Sequence, residues 1–263
     1  DDALRNVAVG LIALDAITTG DNNVAVGYNA LTANTTGSHN IGIGYNALKD
    51  NVGGTSNAAI GYGSLASNTS GQFNTSVGSS SLNANINGQR NVGIGNSSLR
   101  DNSSGNYNTA IGKSSGQSIT TGDDNVTIGH QAGILSTTGN YNTILGSDSD
   151  PSASSASNQT VIGYNVTGQA DNSVVLGNAD VTAIYMAQDK GATVHAAGAD
   201  LSGSTGLILE NDETITNSTD GTVLINGTVA GGTGSGAGVF TSNGDQDVTI
   251  QTGNSTTGSI TIT

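Results

Sequence analysis

Residues 23–31 read NVAVGYNAL, and residues 40–48 read NIGIGYNAL, 17 positions further along the chain. Both begin with a five-place motif: an Asn, a β-branched residue, a small residue, an aliphatic residue and a Gly. The closing glycine recurs ten times at steps of 17 residues, without insertion or deletion: Gly10, Gly27, Gly44, Gly61, Gly78, Gly95, Gly112, Gly129, Gly146 and Gly163. A disordered polar chain has no reason to keep such a register, so the repeat predicts a regular structure.

The places between the Asn and the Gly predict one short β-strand per repeat. Side chains alternate between the two faces of a strand, so the second and fourth places share a face and the third place lies opposite. The third place is mostly small, as in Ala8 and Gly42, which indicates close approach of another wall or another chain. The fourth place is always aliphatic, and we expect it to form the structural core: Val9, Val26, Ile43, Ile60, Val77, Ile94, Ile111, Ile128, Leu145 and Ile162. On this prediction, Ile60→Asp would bury an unpaired charge and disrupt the fold.

Further columns of identical residues complete the repeat. A leucine column follows the strand: Leu14, Leu31, Leu48, Leu65, Leu82 and Leu99. A second glycine column, from Gly20 to Gly139, predicts a turn that needs a positive φ. Two asparagine columns, Asn6 to Asn142 and Asn34 to Asn102, predict ladders of hydrogen-bonded amides. Each repeat therefore predicts a strand, a turn, a short second strand or extended corner, and another turn. Stacking these units gives an all-β parallel solenoid that rises about 4.8 Å per coil.

The units at 23–31 and 40–48 resemble the head repeats of YadA-type trimeric autotransporter adhesins, and resemble more closely the related repeats of bacteriophage tail fibre proteins. The resemblance covers about two thirds of the chain. It implies a left-handed β-roll, three chains side by side as a homotrimer, and a role in attachment. The stretch 172–185 is similar to the end of the repeat region in phage fibres.

The 17-residue register is lost from about Asn178. We expect a solenoid domain at 1–177, a junction or cap at 178–200 and a β-rich, Gly-rich fibre segment at 201–263. The last segment contains short alternating runs such as 222–225 and 259–263 between Gly-rich connections, which is typical of strands and turns. The chain begins with Asp rather than Met, so we expect a processed chain or a piece of a longer one.

Composition narrows the function. The 263 residues are only 34% hydrophobic and 10% charged, with 20 Asp+Glu against 6 Lys+Arg and a net charge of -14. Such a chain lacks the large apolar side chains of a conventional enzyme core, whereas a thin solenoid core needs few. It also lacks the basic surface that nucleic-acid binding requires, and no stretch has the length and apolarity of a membrane span. The absence of Cys leaves the redox compartment open.

No catalytic or metal constellation is predicted, and no cofactor. His39, His130 and His195 lie far apart, so we expect no triad or metal cluster. Aspartates in turns, such as Asp21 and the pair Asp123 and Asp124, favour turn formation over Ca²⁺ ligation. The surface feature of most interest is a column of three tyrosines whose rings should stack and which could offer a platform for glycans: Tyr28, Tyr45 and Tyr62.

The sequence therefore predicts a non-enzymatic structural fibre protein, most directly a virion or phage tail fibre segment. Its partners would be its own copies and a host-surface glycan or protein, bound without covalent chemistry. The alternative in the same class is a bacterial surface adhesin or extracellular filament subunit. Ice binding is a further alternative, because pairs such as Thr18-Thr19 and Thr35-Thr36 partly form a flat threonine face. A polysaccharide-degrading solenoid would need clustered carboxylates that the columns do not supply.

Overall fold

One three-residue strand per repeat builds the fold. The structure is a computed structural model that describes residues 3–182 and 184. Its strands are all separated by 17 residues except the last, which follows after 14. They are β1 (Val7–Val9), β2 (Val24–Val26), β3 (Ile41–Ile43), β4 (Ala58–Ile60), β5 (Thr75–Val77), β6 (Val92–Ile94), β7 (Thr109–Ile111), β8 (Val126–Ile128), β9 (Thr143–Leu145), β10 (Thr160–Ile162) and β11 (Val174–Leu176).

The eleven strands form one parallel sheet in sequence order, β1 to β11. Equivalent residues of successive coils are paired, so that Ala25 lies opposite Gly42 and Val26 opposite Ile43. The chain is therefore a parallel β-solenoid of about ten coils, as the sequence predicts. Hydrogen bonds between coils continue beyond the strands, for example from Leu31 N to Ala47 O at 3.0 Å. The expected second strand is not formed in any described coil, because residues such as 28–33 run through turns instead.

The interior of the solenoid lies behind the third place of each strand. Ala25, Ala59 and Ala110 are fully buried there, and they pack against the buried leucine column. The leucines adopt left-handed φ values of 49–53°, which are unfavourable for a bulky residue. Burial of the leucine side chains offsets that cost, at about 1.5–3 kcal/mol for each large apolar side chain.

The prediction that the fourth place forms the core is wrong. Val9, Ile43, Ile60, Ile94, Ile111 and Leu145 are exposed, and Val26, Val77, Ile128 and Ile162 are half-buried. The alternation of faces was correct, but the narrow coil has room inside only for the small third place and the leucine. The larger aliphatic side chains are directed outward. The third place is accordingly approached by the leucine column inside the solenoid and is not a surface for self-association.

The core changes composition after Leu99. The leucine column continues as Gly116 and Gly133, while the third place grows from Ala110 to Thr127 and then to Ile144. A Cβ on Gly116 would lie 2.9 Å from Thr127 Oγ1, so the two columns compete for one space. The exchange separates two core clusters, one from Leu14 to Ile119 and one formed by Ala132, Ile144, Val161 and Val166.

Both asparagine columns form buried ladders, which confirms that prediction. In the first, Asn40 N donates to Asn23 Oδ1 at 2.9 Å, and Asn40 Nδ2 donates to Gly54 O at 2.8 Å. In the second, Asn51 Nδ2 donates to Asn34 Oδ1 at 2.9 Å. These amides therefore satisfy the backbone of a corner and link neighbouring coils, which lets polar groups lie in the interior with hydrogen-bond partners.

The two glycine columns serve different purposes. Gly27 has a φ of +134°, and the other closing glycines of the ten repeats lie between +129° and +141°. The second column does not have the positive φ that we expected. It is required because a Cβ on Gly54 would lie 2.5 Å from Gly71 O of the next coil. Close backbone stacking, rather than turn conformation, therefore demands glycine at this corner.

The described residues belong to one compact unit. The solenoid strands extend to Leu176, close to the expected limit of the first domain. Most of the expected junction at 178–200 and the whole fibre segment at 201–263 lie outside the described residues.

Candidate binding surface

The outward face of the sheet is a largely apolar surface, which we call the aliphatic wall. It consists of the second and fourth places of the strands. The fourth place is aliphatic in every strand, whereas the second place is threonine in four of them: Thr75, Thr109, Thr143 and Thr160. The exposed fraction is 40% for Ile41, 37% for Ile43 and 42% for Ile60. Three residues of about 3.3 Å and ten coils of about 4.8 Å give the wall an extent of roughly 10 by 48 Å. Parallel sheets are found almost only with both faces covered, whereas none of the described residues covers this face.

The predicted tyrosine column is a stacked ladder. The ring centroids of Tyr28 and Tyr45 are 5.2 Å apart with planes at 15°, and those of Tyr45 and Tyr62 are 5.2 Å apart at 6°. The stacking that we expected is confirmed. It also covers both faces of the Tyr45 ring, so the ladder presents mainly ring edges and hydroxyl groups outward. Only the outer faces of the Tyr28 and Tyr62 rings are not covered by another tyrosine of the ladder.

A second exposed stack contains a cation and was missed by the sequence analysis. Arg90 Cζ lies 5.2 Å from the ring centroid of Phe73 and 5.4 Å from that of Tyr107. Arg90 Nη1 also donates to Tyr107 Oη at 3.1 Å. The 17-residue spacing of 73, 90 and 107 is the signal that could have found this stack, since equal spacing places side chains in one column.

The two aromatic stacks flank the aliphatic wall. Tyr28, like the other members of its ladder, immediately follows the closing glycine of a strand. Phe73, Arg90 and Tyr107 each immediately precede the Asn that opens the motif. The tyrosine ladder therefore lies beyond one end of strands β2 to β4, and the second stack lies beyond the other end of strands β5 to β7.

Two of the described lysine and arginine side chains outside this stack form ion pairs with the aspartate that follows them. Lys49 Nζ lies 3.4 Å from Asp50 Oδ2, and Arg100 Nη2 lies 2.8 Å from Asp101 Oδ2. Within the described part of the chain, no carboxylate oxygen lies within 4 Å of the Arg90 guanidinium. The positive charge of Arg90 is balanced by ring faces and not by an ion pair.

The structure separates the titratable residues that the sequence analysis considered. His39 Nε2 lies 3.4 Å from Asn22 Nδ2, His130 Nδ1 lies 3.6 Å from Asp148 Oδ1, and His195 lies outside the described residues. Asp123 Oδ1 accepts a hydrogen bond from Asn106 N at 2.7 Å, as a member of a corner ladder. Among residues 3–182 and 184, no group of three His, Asp or Glu side chains could hold a metal ion.

Asp150 is a partly buried carboxyl group. Burial raises its pKa above the ordinary value, and the nearby charge of Asp148 raises it further. A hydrogen bond from Leu135 N at 2.8 Å acts in the opposite direction. The group lies at a corner of the solenoid and not beside either aromatic stack.

The threonine pairs that suggested an ice-binding face are tied into the backbone. Thr35 Oγ1 donates to Val52 O at 3.2 Å, and Thr120 Oγ1 donates to Thr137 O at 3.1 Å. These hydroxyl hydrogens bind the next coil, so the first threonine of each pair offers outward only an acceptor. No described residue belongs to a helix long and apolar enough to cross a membrane.

The fold defines the chain as a parallel β-solenoid protein with an exposed apolar wall. Comparison of its sequence and structure with family models, curated proteins and solved structures gives no match.

Proposed function

We propose that this chain is a segment of a structural fibre, in the setting of a phage tail or virion fibre, that assembles as a homotrimer and attaches to a host surface. The observation that carries the proposal is the aliphatic wall, which the fold leaves uncovered although its side chains are as large as those of a core. The resemblance of the repeats supplies the fibre setting and the number of chains.

The size of the wall sets the area available for an interface. The wall alone measures on the order of 500 Å², which is less than the roughly 800 Å² that each partner contributes to a standard interface. The apolar side chains of the wall, rather than a large contact area, therefore support association.

A second copy of the chain is the partner that fits best. The wall repeats with the spacing of the coils, so an identical wall can match it over its full length. Three copies arranged around an axis would direct three narrow walls inward and leave the polar corners outside. Such an arrangement is a closed symmetric oligomer with no unsatisfied apolar face.

The mechanism would be display and non-covalent binding. The acidic side chains of the described residues all lie outside the strands, in corners that would remain outside in a trimer, and a net charge of -14 keeps such an assembly soluble. The host-surface partner would be a glycan or a protein. The chain would carry out no chemistry of its own.

Light scattering on the purified chain tests the assembly, against the monomer mass of 25.9 kDa. We expect three times that mass at all micromolar concentrations, and electron microscopy should show short rods. A monomer would overturn the trimer. Cleavage of a polysaccharide panel that is lost on Asp→Asn replacement would overturn the non-enzymatic function.

A further inference from the structure

We propose that the stack of Phe73, Arg90 and Tyr107 is a binding site for a glycan that carries carboxylate groups, such as a polymer of uronic acids. The inference rests on the proposed attachment function and names the ligand class for it. It places the site on the second aromatic column rather than on the tyrosine ladder.

The backbone of the stack is the first argument. Phe73, Arg90 and Tyr107 have φ values of 59°, 57° and 57°, in the left-handed region. Asn, Asp and His tolerate this region best, and Asn22, His39 and Asp124 occupy the same column in other coils. Arg5 and Tyr141 have the same backbone conformation in this column, so what distinguishes positions 73, 90 and 107 is that three bulky side chains follow one another.

Burial does not account for these three bulky side chains. The leucine column shows the same strain, but its members are fully buried. Phe73 and Tyr107 are instead 49% and 51% exposed, and Arg90 is exposed as well. The chain keeps these side chains in a strained conformation at its surface, where a ligand can reach them.

The guanidinium group sets the charge of the ligand. The two rings cover the faces of the Arg90 guanidinium, and one of its N–H groups is bound to Tyr107 Oη. The remaining N–H donors lie in the plane of the fork, which matches two oxygens of one carboxylate. No described carboxylate competes for this position, although the chain as a whole is strongly acidic.

The aromatic rings favour a sugar over a simple anion as the ligand. Ser56, one coil before Phe73, is too small to cover the outer face of the Phe73 ring. The apolar face of a sugar can pack on such a ring, whereas an inorganic anion would use only the guanidinium. The site is an open edge and not a pocket, and a chain of sugars can lie along it from coil to coil.

Calorimetric titration with oligogalacturonate tests the site, with fully methyl-esterified oligogalacturonate as the neutral ligand and inorganic sulfate as the simple anion. We expect binding of the acidic oligomer and no measurable binding of the ester or of sulfate at the same concentration. Added salt should weaken binding, since the contact is partly electrostatic. Absence of binding to the acidic oligomer, or equal binding of the ester or of sulfate, would overturn the proposal.

Two variants separate a binding role from a structural one. Arg90→Asn places a residue suited to the left-handed region, so we expect an unchanged or higher melting temperature together with at least about a tenfold loss of affinity. Arg100→Asn removes an arginine that is already paired with Asp101, and its affinity should equal that of the wild type. A lower melting temperature for Arg90→Asn, or unchanged affinity, would show that the stack only stabilises the coil edge.

Light scattering on the same samples keeps the two proposals distinct. A trimer that fails to bind the oligomer contradicts the glycan site alone. A monomer that binds it contradicts the trimer alone.

Discussion

The side chain of Leu31 occupies the space that a side chain on Gly42 would need. A Cβ built on Gly42 would lie 3.2 Å from Leu31 Cγ. The two residues belong to successive coils, so the leucine of one coil packs against the third strand place of the next. Interior volume in this solenoid is shared between two columns, and each coil can hold only one large side chain between them.

This sharing predicts a strong coupling between positions 31 and 42. Gly42→Ile alone should overpack the core and destabilise the protein by about 1–3 kcal/mol. Leu31→Gly alone should leave a cavity and cost about 2–5 kcal/mol. The double variant imitates the arrangement of Gly133 with Ile144, so its loss of stability should be smaller than the sum of the single losses. Urea denaturation of the four proteins measures this, and additive losses would contradict the shared space.

The two faces of one strand should respond differently to charge. Ile60 is 42% exposed on the aliphatic wall, whereas its neighbour Ala59 is fully buried. Ile60→Asp should therefore leave the circular dichroism spectrum of the solenoid intact and abolish the trimer, because it places one carboxylate per chain in the interface. Ala59→Asp buries an unpaired charge and should destabilise the fold by more than about 3 kcal/mol.

Light scattering and thermal melting distinguish the two variants. Ile60→Thr serves as the control, since threonine occupies the outward second place of several strands, as Thr75 and Thr109 do. It should weaken the trimer much less than Ile60→Asp does. If Ile60→Asp does not fold, the fourth place belongs to the core after all. If Ile60→Asp still forms a trimer, the aliphatic wall is not the interface.

The periodicity of the sequence was sufficient to predict the solenoid fold, but not to predict which face of each strand points into the interior. A strict repeat of 17 residues fixes the parallel register of Ala25 with Gly42, because equivalent residues must stack. The period of two along a strand states that Val26 and Ala25 face opposite ways, but it does not say which way is inward. That depends on the space inside the coil, which only the positions of Leu31 and the buried amides reveal.

The candidate binding surface could be predicted only in part, because the 17-residue spacing shows which side chains share a column but not how different side chains interact. The tyrosine ladder was found because three identical residues recur at one place. The stack around Arg90 has the same spacing but contains three different residues, and recognising it requires knowledge of which neighbours a cation accepts. The strained φ of Phe73 could not be predicted, since nothing in the residue type indicates a left-handed backbone.

The second asparagine ladder predicts a sharp difference between two isosteric variants. Asn102 Nδ2 donates to Asn85 Oδ1 at 2.9 Å, but Asn102 Oδ1 has no partner among the described residues. The next place in the column is Ile119, which is fully buried and has no donor. Ile119→Asn can extend the ladder by donating to Asn102 Oδ1, so the lost apolar burial is partly offset and we expect a net cost of about 1–3 kcal/mol.

Ile119→Asp has the same shape but offers only acceptors at neutral pH. The Ile119→Asp variant should be less stable than Ile119→Asn by about 3 kcal/mol, because a buried carboxylate would face the oxygen Asn102 Oδ1. At pH 3 the protonated acid can donate, so the difference between the variants should narrow. Urea titrations at both pH values measure it. Equal stabilities at pH 7 would mean that the ladder does not accept a further amide.

Replacing Asp150 by Asn should stabilise the protein by an amount that depends on pH. Burial raises its pKa in the folded protein above the ordinary value of 3.8, so the folded state binds the proton more tightly than the unfolded state. The ionised carboxylate therefore destabilises the fold at every pH above the raised pKa, and this cost disappears as the pH falls through that value towards 3.8.

Asp150→Asn removes the charge and keeps an oxygen for the hydrogen bond from Leu135 N. Its melting temperature should exceed that of the wild type at pH 7 and equal it at pH 3. Asp15→Asn changes the net charge equally at an exposed position, and a gain at pH 7 as large as that of Asp150→Asn would show that reduced overall repulsion, rather than burial of this group, is responsible.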